Sequence, residues 1–386
     1  MKTTRHIVQA IIFLVILVAV FLIQGNAEKW CPFGGVEAIY TYIKEGNMPC
    51  SLGVSNFYIL AAVLLITLLV KRAFCGYLCP IGMLSEAARG LGKLLGIKAR
   101  RVSERQESLF SLAKYFFLAL LLYFTYKSGE LIFRGFDPCY ALLSRHGEDI
   151  TFWAYVVSAT ILAASFFLTM PFCRWICPLA AVLNPFSRFG LARIQRKENA
   201  CTSCGKCSRV CPMNIPVHKV SQVSQARCIT CFQCLEECPE KEALCWSTPF
   251  SAKKLPVWMI LIVIALFLGG AVAGDYLYPI ASFVRSKGEK PEKIAQVVLS
   301  LENLTCRGRA NLLVYYLYRD DMYQIPGYLK LEAWPGPGFA KATVSYDPSE
   351  TQEEQIKEAL TEPYFDTVLR IWRNPPFKIQ GYNPLE

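Results

Sequence analysis

Eight of the chain's 17 cysteines fall in two copies of one run, Cys201-Thr-Ser-Cys204-Gly-Lys-Cys207-Ser-Arg-Val-Cys211-Pro212 and Cys228-Ile-Thr-Cys231-Phe-Gln-Cys234-Leu-Glu-Glu-Cys238-Pro239. Three closely spaced thiolates can wrap one iron–sulfur cubane in a short loop. The fourth follows a turn of chain and is closed off by proline. The C-x2-C-x2-C-x3-C-P spacing is that of [4Fe–4S] ligands, and where two such runs occur the fourth cysteine of each serves the other cluster. The reading is therefore Cys201, Cys204, Cys207 and Cys238 on one [4Fe–4S] cluster, and Cys228, Cys231, Cys234 and Cys211 on a second. Zinc sites favour two CxxC pairs or interleaved histidine, and a disulfide framework would not repeat this order. The chemistry implied is one-electron transfer.

A second pair of motifs reads Phe74-Cys75-Gly-Tyr-Leu78-Cys79-Pro80-Ile81 and Phe172-Cys173-Arg-Trp-Ile176-Cys177-Pro178-Leu179. Each follows an apolar stretch and precedes a basic one, which marks an internal repeat. Such repeats bring equivalent positions together about a pseudo-symmetry axis. Cys75, Cys79, Cys173 and Cys177 would then offer four thiolates at one membrane surface for a further cluster or metal, each pair on one helix face by its spacing. Redox-active dithiols and inert interfacial thiols are the other two readings.

The elements that must position these residues are apolar. The chain has 386 residues, is 53% hydrophobic, and has a mean hydropathy of +0.30. Apolar stretches at about Ile7–Ile23, Leu52–Val70, Leu109–Tyr126, Phe152–Met170 and Leu255–Ala273 approach the roughly 20 residues that cross a bilayer core. Lys114 lies near one end of the third and could snorkel. The first, with Lys2 and Arg5 ahead of it and Gly25-Asn26-Ala27 behind, could be a signal peptide, but its apolar run is longer than a usual h-region and a retained helix is expected. Lys71, Arg72, Arg89, Lys93, Lys98, Arg100, Arg101 and Arg105 crowd one connection; Arg188, Arg193, Arg196, Lys197, Lys253 and Lys254 crowd another. By the positive-inside rule both face the cytoplasm, with the N-terminus inside and the C-terminus outside. The net charge of +11 is then read as topology and contact with anionic lipid, with no nucleic-acid partner. Thiolate-ligated clusters suit that reducing side. Cys31, Cys50, Cys139 and Cys306 fall outside; Cys31 and Cys50 flank one loop and could form a disulfide, with pairing to Cys139 or a metal site as the alternatives. Cys245 reads as a buried structural thiol.

Four core spans, two CxxxCP motifs and a following pair of cluster runs resemble the NapH/NosR-type membrane polyferredoxins, and CcoG-type proteins share part of the pattern. Trp30-Cys31-Pro32-Phe33-Gly34-Gly35 and Phe136-Asp137-Pro138 belong to the same resemblance, which covers roughly residues 1–280. It implies electron relay between a quinone pool or cytoplasmic donors and an extracytoplasmic reductase, or support of metalloenzyme maturation. The flavin-attachment motif of NosR-type proteins is missing, and the tail does not read as the immunoglobulin-like domain of CcoG-type proteins.

The tail reads strand–helix–strand–strand–helix–strand at about Ile294–Leu301, Cys306–Tyr318, Tyr328–Ala333, Ala340–Tyr346, Thr351–Leu360 and Phe365–Trp372. That is the βαββαβ order. Asp347-Pro348-Ser349 supplies the turn and cap of the last helix, and Pro335-Gly336-Pro337-Gly338 joins the middle strands. Cys306 at the first strand–helix turn resembles the metal loop of heavy-metal-associated domains, although Arg309 replaces the second cysteine. A single thiol near a helix start and two cations suits docking, sensing or a metal site completed by a partner.

The expected architecture is a polytopic α-helical membrane bundle of about five spans, with a cytoplasmic dicluster ferredoxin module and an outer α/β ferredoxin-like domain. Its divisions are 1–195 for four helices and both CxxxCP motifs, 196–250 for the cluster module, 251–280 for the fifth helix and 285–386 for the outer domain. The only histidines, His6, His146 and His218, cannot build a bis-histidine haem site, and no dinucleotide fingerprint is present. Glu37, Arg134, Asp137 and His146 are the outer-loop groups a quinol headgroup could meet. No residue set legible in the sequence holds a cofactor at mid-membrane. The expected function is electron relay between the quinone pool and a partner redox enzyme; the alternative is a metal reductase or maturation factor for a client metalloenzyme.

Overall fold

The computed structural model describes residues 2–18, 21, 31–36, 39, 55–128, 132–143, 151–240, 242–248, 254–256, 258–277, 281, 283–305, 307–336, 338–366 and 370–382. The chain divides into one unit of Met1–Glu37 and Ser55–Tyr276 and another of Ala38–Val54 and Leu277–Glu386. Cys50, Cys306, Glu37 and His146 lie outside the described residues.

In the first unit each expected apolar stretch contributes a helix among the described residues. Along the chain these are α1 (Lys2–Leu17), α2 (Ser55–Val70), α3 (Ala73–Tyr77), α4 (Pro80–Leu94), α5 (Glu104–Ser128), α6 (Pro138–Leu143), α7 (Phe152–Phe167), α8 (Pro171–Trp175) and α9 (Pro178–Arg188). The cluster module follows, with β1 (Arg193–Arg196), α10 (Lys206–Arg209), α11 (Gln233–Glu236) and β2 (Leu244–Ser247), and then α12 (Met259–Leu277). Among the described residues one helix is both long and apolar enough to cross a membrane, over Glu104–Lys127. Arg5–Leu17, Asn56–Val70, Phe152–Phe167 and Met259–Gly274 are apolar but shorter.

The two CxxxCP motifs depart from the expectation of a shared helix face. Cys75 and Cys173 lie in the five-residue helices α3 and α8, whereas Cys79 and Cys177 are the N-caps of α4 and α9. Proline lacks an N–H and cannot continue the preceding helix, but its fixed φ suits a first helical position. Pro80 and Pro178 occupy that position, so each motif breaks into two helices. The first pair packs beside α1. Gly76 O accepts from Arg5 and Gln9, the segment Cys79–Ile81 lines the same cavity as Ile12 and Ile16, and Glu86 pairs with Arg5 at 2.8 Å. Side chain to side chain, α4 packs on α7 through Ser85 and Ser165 at 2.8 Å.

Lys114 differs from expectation as well. It turns inward, 2% exposed, and its ammonium donates to Arg174 O at 3.4 Å. It is the eleventh residue of a 25-residue helix, too far from the end to reach the rim.

The second unit builds an antiparallel sheet in the order β3 (Phe283–Lys287), β5 (Leu329–Trp334), β6 (Phe339–Tyr346), β4 (Ala295–Glu302). Alternating burial along β5 puts Leu329, Leu331 and Ala333 on the core face, the period of a half-buried strand. The helices α13 (Arg307–Leu317) and α14 (Glu353–Thr361) cover that face with Leu313, Tyr316, Ile356 and Leu360. Arg319, 1% exposed, ties the connection between them by binding Asp321 and the carbonyls of Ala359, Glu362 and Pro363. The cap of α14 is a box of Gln352 and Gln355; Asp347 makes the preceding turn through Ser349 N–H.

The expected last strand is the correction here. The described residues of Phe365–Trp372 do not join that sheet; β7 (Tyr364–Asp366) pairs antiparallel with β8 (Ile371–Arg373) in a separate two-stranded sheet. Ile371 and Trp372 are 46% and 70% exposed, while Phe377 and Ile379 fill the core instead. Pro375 and Pro376 cannot donate to a ladder, so pairing resumes only beyond them, where Gln380 N–H donates to Ser300 O and Glu302 N–H to Lys378 O. The fourth strand of the sheet comes from β3, which precedes the first strand expected from the sequence.

Candidate functional site

The two cysteine runs fold onto the same backbone trace. Ser203 and Thr230 have φ of 55° and 52°, and the next but one residues, Gly205 and Phe232, have 69° and 60°. Glycine adopts this region freely; phenylalanine does so at a cost. Phe232 is held there by burial against Trp246, ring centroids 5.2 Å apart. Each pair of left-handed residues turns the loop about its three thiols, and α10 or α11 then carries the third cysteine inward.

The result is two small cavities. Cys201, Cys204, Cys207 and Cys238 line one, with Arg196, Gly205, His218 and Glu240 around them. Cys211, Cys228, Cys231 and Cys234 line the other, amid Ile194, Met213, Ile215, Val223, Ile229 and Phe232. The chemistry of both donor sets, four thiols converging on one space, fits a [4Fe–4S] cluster. The environments differ. Cys204 is exposed, and backbone N–H groups of Ser203 and Lys206 hold the Cys201 and Cys204 thiols below the usual thiol range. Burial pushes the Cys211 thiol up to about 11 and raises Cys231 and Cys234 as well.

The module is clamped to the bundle by main-chain contacts. Arg72 N–H donates to Cys228 O, Leu191 and Ala192 N–H donate to Leu68 and Leu69 O, and Thr230 Oγ1 donates to Val70 O at 2.8 Å. A Cβ on Gly76 would sit 2.6 Å from Ile229 O, so the cluster loop and α3 approach to a distance only glycine permits.

Lys71 and Arg72, counted above among the charges for lipid and topology, are instead buried at 1% and 0% exposure. The Lys71 ammonium donates to Ser187, Ser224 and Gln225 carbonyls. Arg72 donates to Asn184 Oδ1 at 3.1 Å and to Cys173 O at 3.2 Å, which ties the first repeat to the second. The only sequence signal for this role is that both cations immediately precede the first CxxxCP motif. Arg174 pairs with Glu107, itself 0% exposed, across α8 and α5.

Cys75, Cys79, Cys173 and Cys177 come within electrostatic reach of one another. They do not share one cavity. Cys79 and Cys177 line a space of about 480 Å³ together with Cys31, Cys139, Asp137 and mostly apolar side chains such as Ile12, Ile16, Ile59, Phe33, Phe133 and Leu268. Cys75 and Cys173 are buried beside Arg72. Cys139 is a free thiol. Asp137 caps α6, its Oδ1 accepting from Cys139 N–H at 2.9 Å. Cys245 is buried on β2.

The family model described as a 4Fe-4S binding domain matches residues 52–98 and again 150–197, which are the two copies of the broken-helix repeat; a second, a 4Fe-4S dicluster domain, matches residues 193–239. YccM of Escherichia coli (strain K12), named as a candidate electron transport protein, is 30% identical over 271 residues, 66% of this chain and 74% of its own. Uncharacterized protein MJ0750 of Methanocaldococcus jannaschii is 32% identical over 225 residues, 58% of this chain and 88% of its own. The ferredoxin-type protein NapH of Haemophilus influenzae is 28% identical over 190 residues, 46% of this chain and 63% of its own. No solved structure matches the chain. The repeat, the dicluster module and relatives matched over most of their own length lead to one assignment: the chain belongs to the NapH-type polyferredoxins, ferredoxin-type proteins with 4Fe-4S domains.

Proposed function

We propose that the chain is a membrane-bound electron-transfer subunit that relays electrons between the quinone pool and a partner redox enzyme through two [4Fe–4S] clusters. The observation that carries it is the pair of four-thiol cavities, Cys201/204/207/238 and Cys211/228/231/234, in a module locked by backbone hydrogen bonds to a bundle of apolar helices. A bound cubane supplies one-electron capacity at each set. The protein's own residues fix the thiols in left-handed loops and keep water from the second set with Ile215, Ile229 and Phe232. They also leave the first set open at the surface, where Arg196, Lys206 and Arg209 give a partner protein a basic approach.

The membrane reading rests on α5 and on the apolar surfaces of α1, α7 and α12, where Leu14, Phe116, Trp153 and Leu266 are each more than half exposed. Exposed side chains of that size are disfavoured in water and suited to lipid. The quinol reading rests on the 480 Å³ cavity, apolar except for its thiols and the Asp137 carboxylate, and lined by α1 and α12. There Asp137 would accept a proton as a quinol gives up its electrons. The maturation alternative rests on Cys306, which lies outside the described residues, and no described feature favours it.

The test is anaerobic EPR of the purified chain in detergent before and after a menaquinol analogue. Cluster signals appearing on quinol addition support the proposal; signals that need a low-potential reductant overturn its quinone half. Asp137→Asn keeps the helix cap, since asparagine caps as well as aspartate. It should slow the quinol-dependent signal by about tenfold or more, within the range of general-base effects.

A further inference from the structure

We propose that the buried Lys71 ammonium is the counter-charge of the Cys211, Cys228, Cys231 and Cys234 set and raises the reduction potential of the cluster held there. That role rests on the two-cluster reading of the module and is independent of the quinone reading.

Lys71 follows the last residue of α2 and has a positive φ of 60°. A side chain other than glycine's takes that region at a cost, and the surroundings must hold it there. The ammonium does so by donating to Ser187 O at 3.1 Å, Gln225 O at 3.3 Å and Ser224 O at 3.4 Å. Those three acceptors call for three N–H donors, which lysine has only when protonated. Gly190 leaves room for the stem, since a Cβ there would stand 2.7 Å from Lys71 Cγ. Gln225 O also accepts from Cys228 N–H at 3.2 Å, so one carbonyl separates the charge from the backbone of the first ligand in the second run.

The charge has no other counterpart. Lys71 is 1% exposed, and among the described residues no carboxylate pairs with it. Besides the Cys228 thiol, the charged side chain that acts on it is Arg193, also a cation. Two further described cations reach the same thiol set, Arg5 and Arg227, and both already face a carboxylate, Glu86 and Glu107. The second repeat offers a comparison. Counted from Phe172 as from Phe74, Thr169 takes the place of Lys71, and its Oγ1 donates to Pro212 O at 2.9 Å, next to Cys211. Both repeats therefore reach one thiol set through equivalent residues, but the first brings a charge and the second does not.

Electrostatics fixes the sign. Reduction adds one negative charge and changes no bond. Burial among Ile194, Ile215, Ile229 and Phe232 disfavours that added charge, as burial disfavours any ion. Cluster potentials follow net charge and exposure, and a fixed cation favours the more negative, reduced form. The Cys201 set has solvent at its exposed Cys204 for this purpose, whereas the closed set has Lys71. A unit charge roughly 10 Å away, at an effective dielectric constant of about 20, changes the reduction equilibrium by about tenfold. For one electron that is about 59 mV.

The experiment is an EPR-monitored redox titration with dithionite on the full chain, purified anaerobically in detergent, with iron counted on each sample. Lys71→Gln keeps a donor for the carbonyls without the charge, and Lys71→Arg keeps the charge. In Lys71→Gln one of the two cluster potentials should fall, by about tenfold in the reduction equilibrium. The other should stay, with iron still at about eight atoms per chain. Lys71→Arg and Thr169→Val should both titrate as wild type. Unmoved potentials in a fully loaded Lys71→Gln overturn the proposal. An equal fall in Lys71→Arg or Thr169→Val also overturns it, because the contact and not the charge would then be responsible. Where a neutral variant cannot hold the buried cluster, the iron count decides. Loss of about four iron atoms in Lys71→Gln and Lys71→Met but not in Lys71→Arg supports the counter-charge; loss in all three overturns it. A wild-type count of about four refutes the two-cluster reading itself, and the proposal with it.

Discussion

Gly76 and Arg174 hold equivalent places in the two CxxxCP copies, one residue after Cys75 and Cys173, and do opposite things. Gly76 lets a carbonyl of the ferredoxin loop approach to where a methyl group would stand, 2.6 Å from Ile229 O. Backbone on both sides cannot yield as a flexible side chain would. Gly76→Ala should therefore cost about 1–3 kcal/mol, the usual price of overpacking, and loosen the buried thiol set. The check is a lower melting temperature in detergent together with loss of about four iron atoms per chain. Arg174 instead carries a charge into the interior and meets Glu107; both are 2% exposed or less. Glu107→Ala would strand that guanidinium, and breaking a buried pair typically costs about 3–5 kcal/mol. Thermal unfolding of Glu107→Ala against wild type measures it, and a shift within error would show that the pair is not buried in solution.

At the scale of elements, the two cluster loops share a backbone but not a setting. The Cys201–Cys207 loop carries the exposed Cys204, whereas the Cys228–Cys234 loop is pressed against α3 and Trp246. Chelator access follows exposure, so mild treatment with a ferrous chelator and oxidant should remove iron in two phases. The first phase should disappear in Cys204→Ser, and the second should quicken in Gly76→Ala. One uniform phase would contradict the difference in burial. The same comparison explains what the spacing of residues could and could not convey. Two runs of four cysteines with a crossing fourth ligand are a local pattern, and local patterns survive in sequence. The break within each CxxxCP motif was also encoded, by Pro80 and Pro178, yet a four-residue spacing read alone suggested one helix face. In the second unit, Asn374-Pro375-Pro376 displaced pairing past Trp372, so an alternating apolar run that looked like a closing strand became an exposed hairpin.

At the scale of the whole molecule, topology and charge can be tested together. Lys71, Arg72 and Arg89 are engaged inside the protein, but Lys93, Lys98, Arg100, Arg101 and Arg105 remain on the connection between α4 and α5 and into its first turn. On the proposed membrane reading, that excess would put the connection on the cytoplasmic side by the positive-inside rule. A fluorescent-protein fusion at Arg101 should light up, and an alkaline phosphatase fusion after Glu386 should be active; the reverse pattern would invert the assigned orientation. By itself the sequence determined the chemistry of the cluster module, the apolar helices and the repeat, because each is written in spacing or period over a few residues. Tertiary structure alone decided that Lys71 and Arg72 are internal struts, and that Cys31 and Cys139 share a cavity with Cys79 and Cys177. Those relations join residues as much as 154 positions apart, and they arise only when broken helices from two repeats fold back into one bundle.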